Sequence, residues 1–415
     1  MTPDAKKLLN AIDPVFCLDF LSQLVRFQST SGSPGEAALA RFLAERMAGL
    51  GMETRLQHVE ADRHNAIGVW RGAGRSGGTT GPGGGRSILL NGHMDTNLVS
   101  SGWTVDPFAG LVDEEFIYGI GVSNTKAGDA AFFCAVKTLI EQEVRLRGDV
   151  TLEYVVGELQ GGVGTLKAID EGVRADCFIV CEPTDLAALT MHCGAFNFVI
   201  ELTGATRHVS KRQEAVDAIA AACALVPRIN RATFRGAANE EHRFLNRANV
   251  GVLRGSLTPQ FHDERPPQVA DFARLVGTAR YAPSQGEEMV LADLQGMLAQ
   301  LEGEFPGLKA RVSVEPRPAG VPPMLPFEVN RQAPVVHTVN RAYEAVRGVP
   351  QPTGAVPPAC FFVTDAAHLC RRARMEGLVC GPGGKYNTMP DERVDIADYL
   401  DAIRIYLLTI LDVCA

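Results

Sequence analysis

Four short runs, each ending abruptly in polar residues, constrain the fold more than any other feature: SILLNGHMDT, FIYGIGVSNTKAG, LEYVVGELQGGVGT and ADCFIVCEPTD. An apolar run without alternation is the pattern of a strand covered on both faces. Helical patterns lie before and between them. PVFCLDFLSQLVRF and EAALARFLAERMAGLG carry apolar residues at three- and four-residue spacing, and residues 125 to 143 and GTLKAIDEG continue the series. Strands alternating with helices predict an α/β fold with a doubly wound, mostly parallel sheet. Its polar tips would gather at the C-terminal edge of the strands, where such sheets place their chemistry.

From about residue 190 the texture changes. FNFVIELTG, a helix EAVDAIAAACALVPRI, the strands NVGVLRGSL and LVGTARYAP, the helix GEEMVLADLQGMLAQLEGEF and the strand ARVSVEP predict a compact α+β insertion. A proline-rich connection, RPAGVPPMLPF, then returns to helix, strand and helix. The expected layout is a catalytic domain over 1–190, an inserted lid over 191–314, and completion of the first domain by 315–415. The length of 415 residues agrees with more than one domain. The glycine-rich stretch at 72 to 86 is expected to be a flexible connection.

With 46% hydrophobic and 21% charged residues the chain can bury a sizeable core. Its net charge of -8 gives no reason to expect nucleic acid or an anionic membrane as partner. No apolar stretch approaches the roughly 20 residues of a membrane helix, and MTPDAKKLLN lacks the pattern of a secretory leader. Ten cysteines without a CxxC pair are expected to be reduced core residues, so the expected location is the cytoplasm.

The tips hold candidate chemistry. In NGHMDT, His93 and Asp95 share a face of an extended chain, so Asp95 can fix one tautomer of His93 while its other nitrogen binds a metal. Glu158 stands before a glycine turn, where a carboxylate can serve as general base, and Glu182 ends a strand before a proline. GIGVSNTKAG supplies Ser123, Asn124 and Lys126; it lacks the GK[ST] ending of a phosphate loop. Each has a plainer alternative. The acids can be solvated loop carboxylates, and Asn124 can be the N-cap of a helix beginning at Thr125.

The ordered series NGHMDT, GIGVSNTKAG, GELQGGVGT, CEPT, GATRHVS and GPGGKYNTMPDERV resembles the zinc-dependent family of acetylornithine deacetylase, succinyl-diaminopimelate desuccinylase, aminoacylases and glutamate carboxypeptidases. That resemblance implies a catalytic α/β domain interrupted by an α+β lid that forms a homodimer or higher homo-oligomer. It implies His93 and Glu182 as metal ligands, Asp95 as the residue orienting His93, and Glu158 as general base. His208 would polarise the scissile carbonyl, and Arg280, with Asn249 beside it, would grip a substrate carboxylate. Asp365, in a TDA signature, would support the cleft, while His192 and His368 are expected to be structural. His208 also has the plainer alternative of a surface histidine.

Three positions depart from the family pattern. Its bridging aspartate falls on Asn124, the second acid of its Glu-Glu pair on Leu159, and its last histidine ligand on Thr388. A neutral amide offsets two adjacent dications poorly, so a paired zinc centre is expected to be absent. One labile divalent ion, manganese, zinc or iron, could still be held by His93, Glu182 and Asn124. The resulting expectation is a metal-dependent hydrolase cleaving a C–N bond in a small carboxylate-bearing molecule. The bond would be an amide, or the aryl amine of a substrate such as 5-nitroanthranilate, on which a branch of the family acts. The alternative is a metal-free pseudoenzyme or carboxylate-binding protein.

Overall fold

The computed structural model describes residues 3–73, 85–262 and 266–415. Most of the glycine-rich stretch, residues 74–84, lies outside the described residues. The chain divides into two compact units, Met1–Met191 with Phe327–Ala415, and His192–Pro326.

The first unit is an α/β fold around an eight-stranded sheet. In spatial order its strands are Glu53–Glu60, Arg63–Trp70, Val150–Val155, Ile88–His93, Cys177–Val180, Glu376–Val379, Ala188–Leu189 and Thr353–Gly354. The central strands run parallel, and the first two form an antiparallel hairpin at one edge. Ile88–His93, Val150–Val155 and Cys177–Val180 are buried at every position, which is why they read as unbroken apolar runs.

Alternation along the strands decides which helix covers which face. Gly68 lies against Met47 of the helix Pro34–Gly49, whereas Asn65, on the opposite face, donates to the Gly164 carbonyl of the helix Val163–Asp170 at 2.9 Å. Likewise Gly92 faces Asp129 of the helix Ala127–Glu141, and Asn91 turns away to reach Thr165 Oγ1 at 3.1 Å. The sheet is therefore wound on both faces. The helix Ile396–Cys414 closes the core, packing Tyr406 against Phe132 with ring centroids 4.4 Å apart and the rings tilted by 44°. Among the described residues no single helix is long and apolar enough to cross a membrane.

The second unit is an antiparallel sheet in the order Arg247–Ser256, Phe272–Tyr281, Gly194–Thr203 and Lys309–Val314. Ala273, Leu275, Ala279 and Tyr281 turn one face to the helices Ala218–Ile229 and Glu287–Glu304, meeting Leu225, Val290, Leu294 and Leu298 in a separate core. This unit runs on to Pro326 instead of stopping at 314. Glu315 donates its N–H to Asn197 O and Ala195 donates to Met324 O, each at 2.9 Å, so the proline-rich connection is tied along the strand Gly194–Thr203.

Candidate metal centre

The strand Ile88–His93 delivers His93 to the sheet edge, where it is 2% exposed. Gly92 before it is required, because a Cβ there would collide with Asp129 Oδ1. His93 Nδ1 donates to the backbone carbonyl of Asp95 at 2.9 Å, while the Asp95 carboxylate lies 3.6 Å away. The tautomer is thus set mainly by a carbonyl, which only accepts, and Nε2 is left to face the cleft. The Asp95 carboxylate is turned elsewhere. It accepts N–H bonds from Gly157 (2.9 Å), Glu158 (3.2 Å) and Leu159 (3.3 Å), and a hydroxyl from Ser31 (3.0 Å). Burial works against its charge, yet His93, Ser31 and Arg63 hold it below the usual aspartate range.

Asn124 is not a helix cap. The helix begins at Ala127, its cap is Lys126, and Asn124 sits in the preceding irregular segment Val122–Lys126 with φ -125 and ψ 89. The Asn124–Thr125 peptide is cis. Asn124 Oδ1 lies 3.0 Å from His93 Nε2. The turn is fastened by Glu392, whose Oε1 accepts the N–H of Ser123 at 2.9 Å and of Asn124 at 3.2 Å. Ser123 itself is buried, its Oγ accepting the Gly384 N–H at 3.1 Å, and Lys126 Nζ donates away from the cleft to Phe27 O at 2.8 Å.

Two carboxylates complete the cluster. Glu182 Oε1 is 3.6 Å and Glu158 Oε2 is 3.9 Å from His93 Nε2. Ligand atoms of His93, Glu158 and Glu182 lie within 4.8 Å of one another, and no other such group occurs among the described residues. Neither acid is paired with lysine or arginine among the described residues. Burial, then repulsion from Glu182, pushes Glu158 well above the ordinary carboxylate range. Burial raises Glu182 to about 7 although His93 opposes it. For His93 burial opposes the charge, but Glu182, Asp95 and Glu158 outweigh it and hold the imidazole well above its usual range. An imidazole nitrogen, an amide oxygen and two carboxylates converging in a largely buried site form a donor set that fits one divalent transition ion.

Among the described residues a second ion finds no comparable set of charged or imidazole side chains. Leu159 offers the Glu158 turn only its backbone N–H, taken by Asp95. Thr388 is exposed and spends its hydroxyl on Asn387 Oδ1 at 2.6 Å.

The Glu158 turn is held from behind. Arg63, paired with buried Glu36 at 2.7 Å, also donates to Gln160, and His368 Nε2 donates to Gly161 O at 2.8 Å. Asp365, buried and accepting from Thr165 Oγ1 at 2.7 Å, lies where a Cβ on Gly162 would strike it. His368 therefore supports the turn, a role that its sequence context did not signal. Glu392 was also missed, although it stands in the quoted PDERV segment.

His208, Arg280 and Asn249 belong to the second unit. Exposed His208 begins the turn Val209–Glu214, its Nδ1 accepting from the Ser210 N–H at 3.3 Å. Asn249 pairs with Thr278 across the strands and Arg280 with Arg247, so Asn249 and Arg280 share the sheet face turned away from the helices, as diagonal neighbours.

Residues 89–412 match the model of peptidase family M20/M25/M40. The N-formyl-4-amino-5-aminomethyl-2-methylpyrimidine deformylase of Halalkalibacterium halodurans is 25% identical over 354 residues, 79% of each chain. Succinyl-diaminopimelate desuccinylase 2 of Ruegeria sp. is 30% identical over 195 residues, 45% of each. The YXEP protein of Bacillus subtilis, described as a dinuclear metal-binding peptidase, superposes with a TM-score of 0.64 at 14% identity, covering 96% of this chain and 98% of its own.

Proposed function

The chain belongs to peptidase family M20/M25/M40, and from that premise we propose that it is a metal-dependent hydrolase cleaving a C–N bond of a small carboxylate-bearing substrate with one labile divalent ion. The observation that carries this is the convergence of His93 Nε2, Asn124 Oδ1, Glu158 and Glu182; the family resemblance adds that Asn124, Leu159 and Thr388 fall where a paired site would have charged or imidazole ligands. His93, Asn124 and Glu182 would hold the ion. When bound it supplies Lewis-acid polarisation and acidifies a water, chemistry open to manganese, zinc or iron with this mixed donor set.

The protein's own groups do the rest. Asp95 keeps the Nδ1 proton of His93 in place through its carbonyl and fixes the Glu158 turn through its carboxylate. Glu158, with its raised proton affinity, accepts the proton of the attacking water and can return it to the leaving nitrogen. His208 would stabilise charge developing on the substrate, and Arg280 with Asn249 would fix its carboxylate. Two bonds suit this apparatus: an amide, releasing a carboxylate and an amine, or the aryl amine of an electron-poor ring such as 5-nitroanthranilate, releasing ammonia. The second asks less of a single ion because the ring takes up the charge itself. Ten free cysteines fit a reducing compartment, and we place the protein in the cytoplasm as a homo-oligomer joined through its second unit.

The test is metal analysis after dialysis against manganese, zinc and iron, with acylamino acids and aminobenzoates assayed for carboxylate and ammonia release. One equivalent of metal with either product supports the proposal. No ion above background under any condition overturns it in favour of a metal-free binding protein.

A further inference from the structure

We propose that Glu392 is the positioning residue that makes Asn124 usable as a ligand, an assignment that rests on the single-ion site above. An aspartate presents two equivalent oxygens, so either orientation of its carboxylate serves. An asparagine presents one oxygen and one NH2, and the reversed orientation turns two N–H donors towards a cation. Replacing the acid by an amide at 124 therefore makes the direction of its side chain, and of the backbone that carries it, matter more.

Glu392 controls that backbone. One oxygen accepts the N–H groups of both Ser123 and Asn124, so a single side chain fixes two successive peptide units. The side chain is buried, 4% exposed, and is aimed from a secured segment. Its carbonyl accepts the Gly119 N–H at 2.9 Å, and the strand that follows, Arg393–Asp395, pairs with Phe116–Tyr118. On the other side Asp391, at φ 55, accepts the N–H of Thr104 at 2.8 Å and of Val105 at 3.2 Å. Glu392 thus enters beneath the turn from a loop tied at both ends, and Asn124 Oδ1 is held 3.0 Å from His93 Nε2.

The test is the affinity of the full chain for Mn(II), read by electron paramagnetic resonance of free ion, for Glu392→Gln and Glu392→Ala, each made alone and with Asn124→Asp. Supporting residues behind metal ligands typically contribute a factor of about 10 to 100 in affinity. Glu392→Gln is expected to weaken binding about tenfold with an unchanged melting temperature, and Glu392→Ala more. On the Asn124→Asp background both losses should shrink to within about threefold, because aspartate tolerates either orientation. Equal losses on the two backgrounds, or wild-type affinity in Glu392→Gln, would overturn the assignment; the Gln variant decides it if the Ala variant does not fold. A wild-type chain that binds no ion overturns the function itself, and this assignment with it.

Discussion

Glu158→Gln separates the two roles open to that residue, general base and metal ligand. The substitution is isosteric, and the turn that carries it is held by other groups: Asp95 on the N–H groups of 157 to 159, and His368 on the Gly161 carbonyl. The position of the side chain should survive. Loss of a general base costs roughly 10²- to 10⁴-fold in rate. Metal affinity should respond differently. Glu158 and Glu182 present oxygens within 4.8 Å of each other. Two unit charges at that separation repel by about 3.5 kcal/mol at an effective dielectric near 20, and this repulsion is part of what raises the proton affinity of Glu158. The ion is assigned to His93, Asn124 and Glu182, so the metal Kd should change by less than about tenfold. The assay pairs steady-state kcat with Mn(II) titration on the same preparation. A fall in kcat smaller than tenfold together with affinity weakened more than a hundredfold would refute the reasoning and make Glu158 a ligand.

Other consequences can be checked alongside. Glu158 is raised above the ordinary carboxylate range and must be ionised to act, so kcat/KM should fall on the acid side at a pH above that range, and an acid limb inside that range would refute its role. Glu153 is buried with its pKa raised from 4.5 to about 7, and among the described residues its Oε1 and Asn91 Oδ1 have no hydrogen-bond partner. A raised acid favours the fold while protonated, so stability is full below about 4.5 and declines as pH rises to about 7, by up to about 3 kcal/mol. Glu153→Gln, which brings its own NH2 donor, should remove this share of the decline between urea melts at pH 5 and pH 8, leaving that of the other buried acids, and an unchanged slope would refute it. Gly162→Ala would push a Cβ into Asp365 and stand at φ +80, a left-handed conformation costing about 1 to 2 kcal/mol. It should lower both melting temperature and kcat, and wild-type values of both would refute the tight packing behind Glu158.

Much of the first unit was legible because its central strands are covered on both faces and so betray themselves as apolar runs; Ile88–His93 and Cys177–Val180 end where the polar tips begin. The strands Ala188–Leu189 and Thr353–Gly354 were not legible, since two residues carry no period. In the site, His93, Glu158 and Glu182 were recognisable because each ends a strand or opens a glycine turn. The supports were not. Glu392 acts on backbone groups 268 and 269 positions away, and Arg63 and His368 act on the Glu158 turn from remote segments; contacts between distant segments leave no local pattern. Asp95 was readable as the partner of His93, but only the folded backbone reveals that its carbonyl does the holding while its carboxylate secures the neighbouring turn.

The central claim, one ion in place of two, is tested most directly by metal content. After reconstitution with excess Mn(II) or Zn(II) and removal of free ion, the wild-type chain should retain one equivalent. The variant carrying Asn124→Asp, Leu159→Glu and Thr388→His together should retain two. Two equivalents in the wild-type chain, or activity that requires a second, would contradict the account.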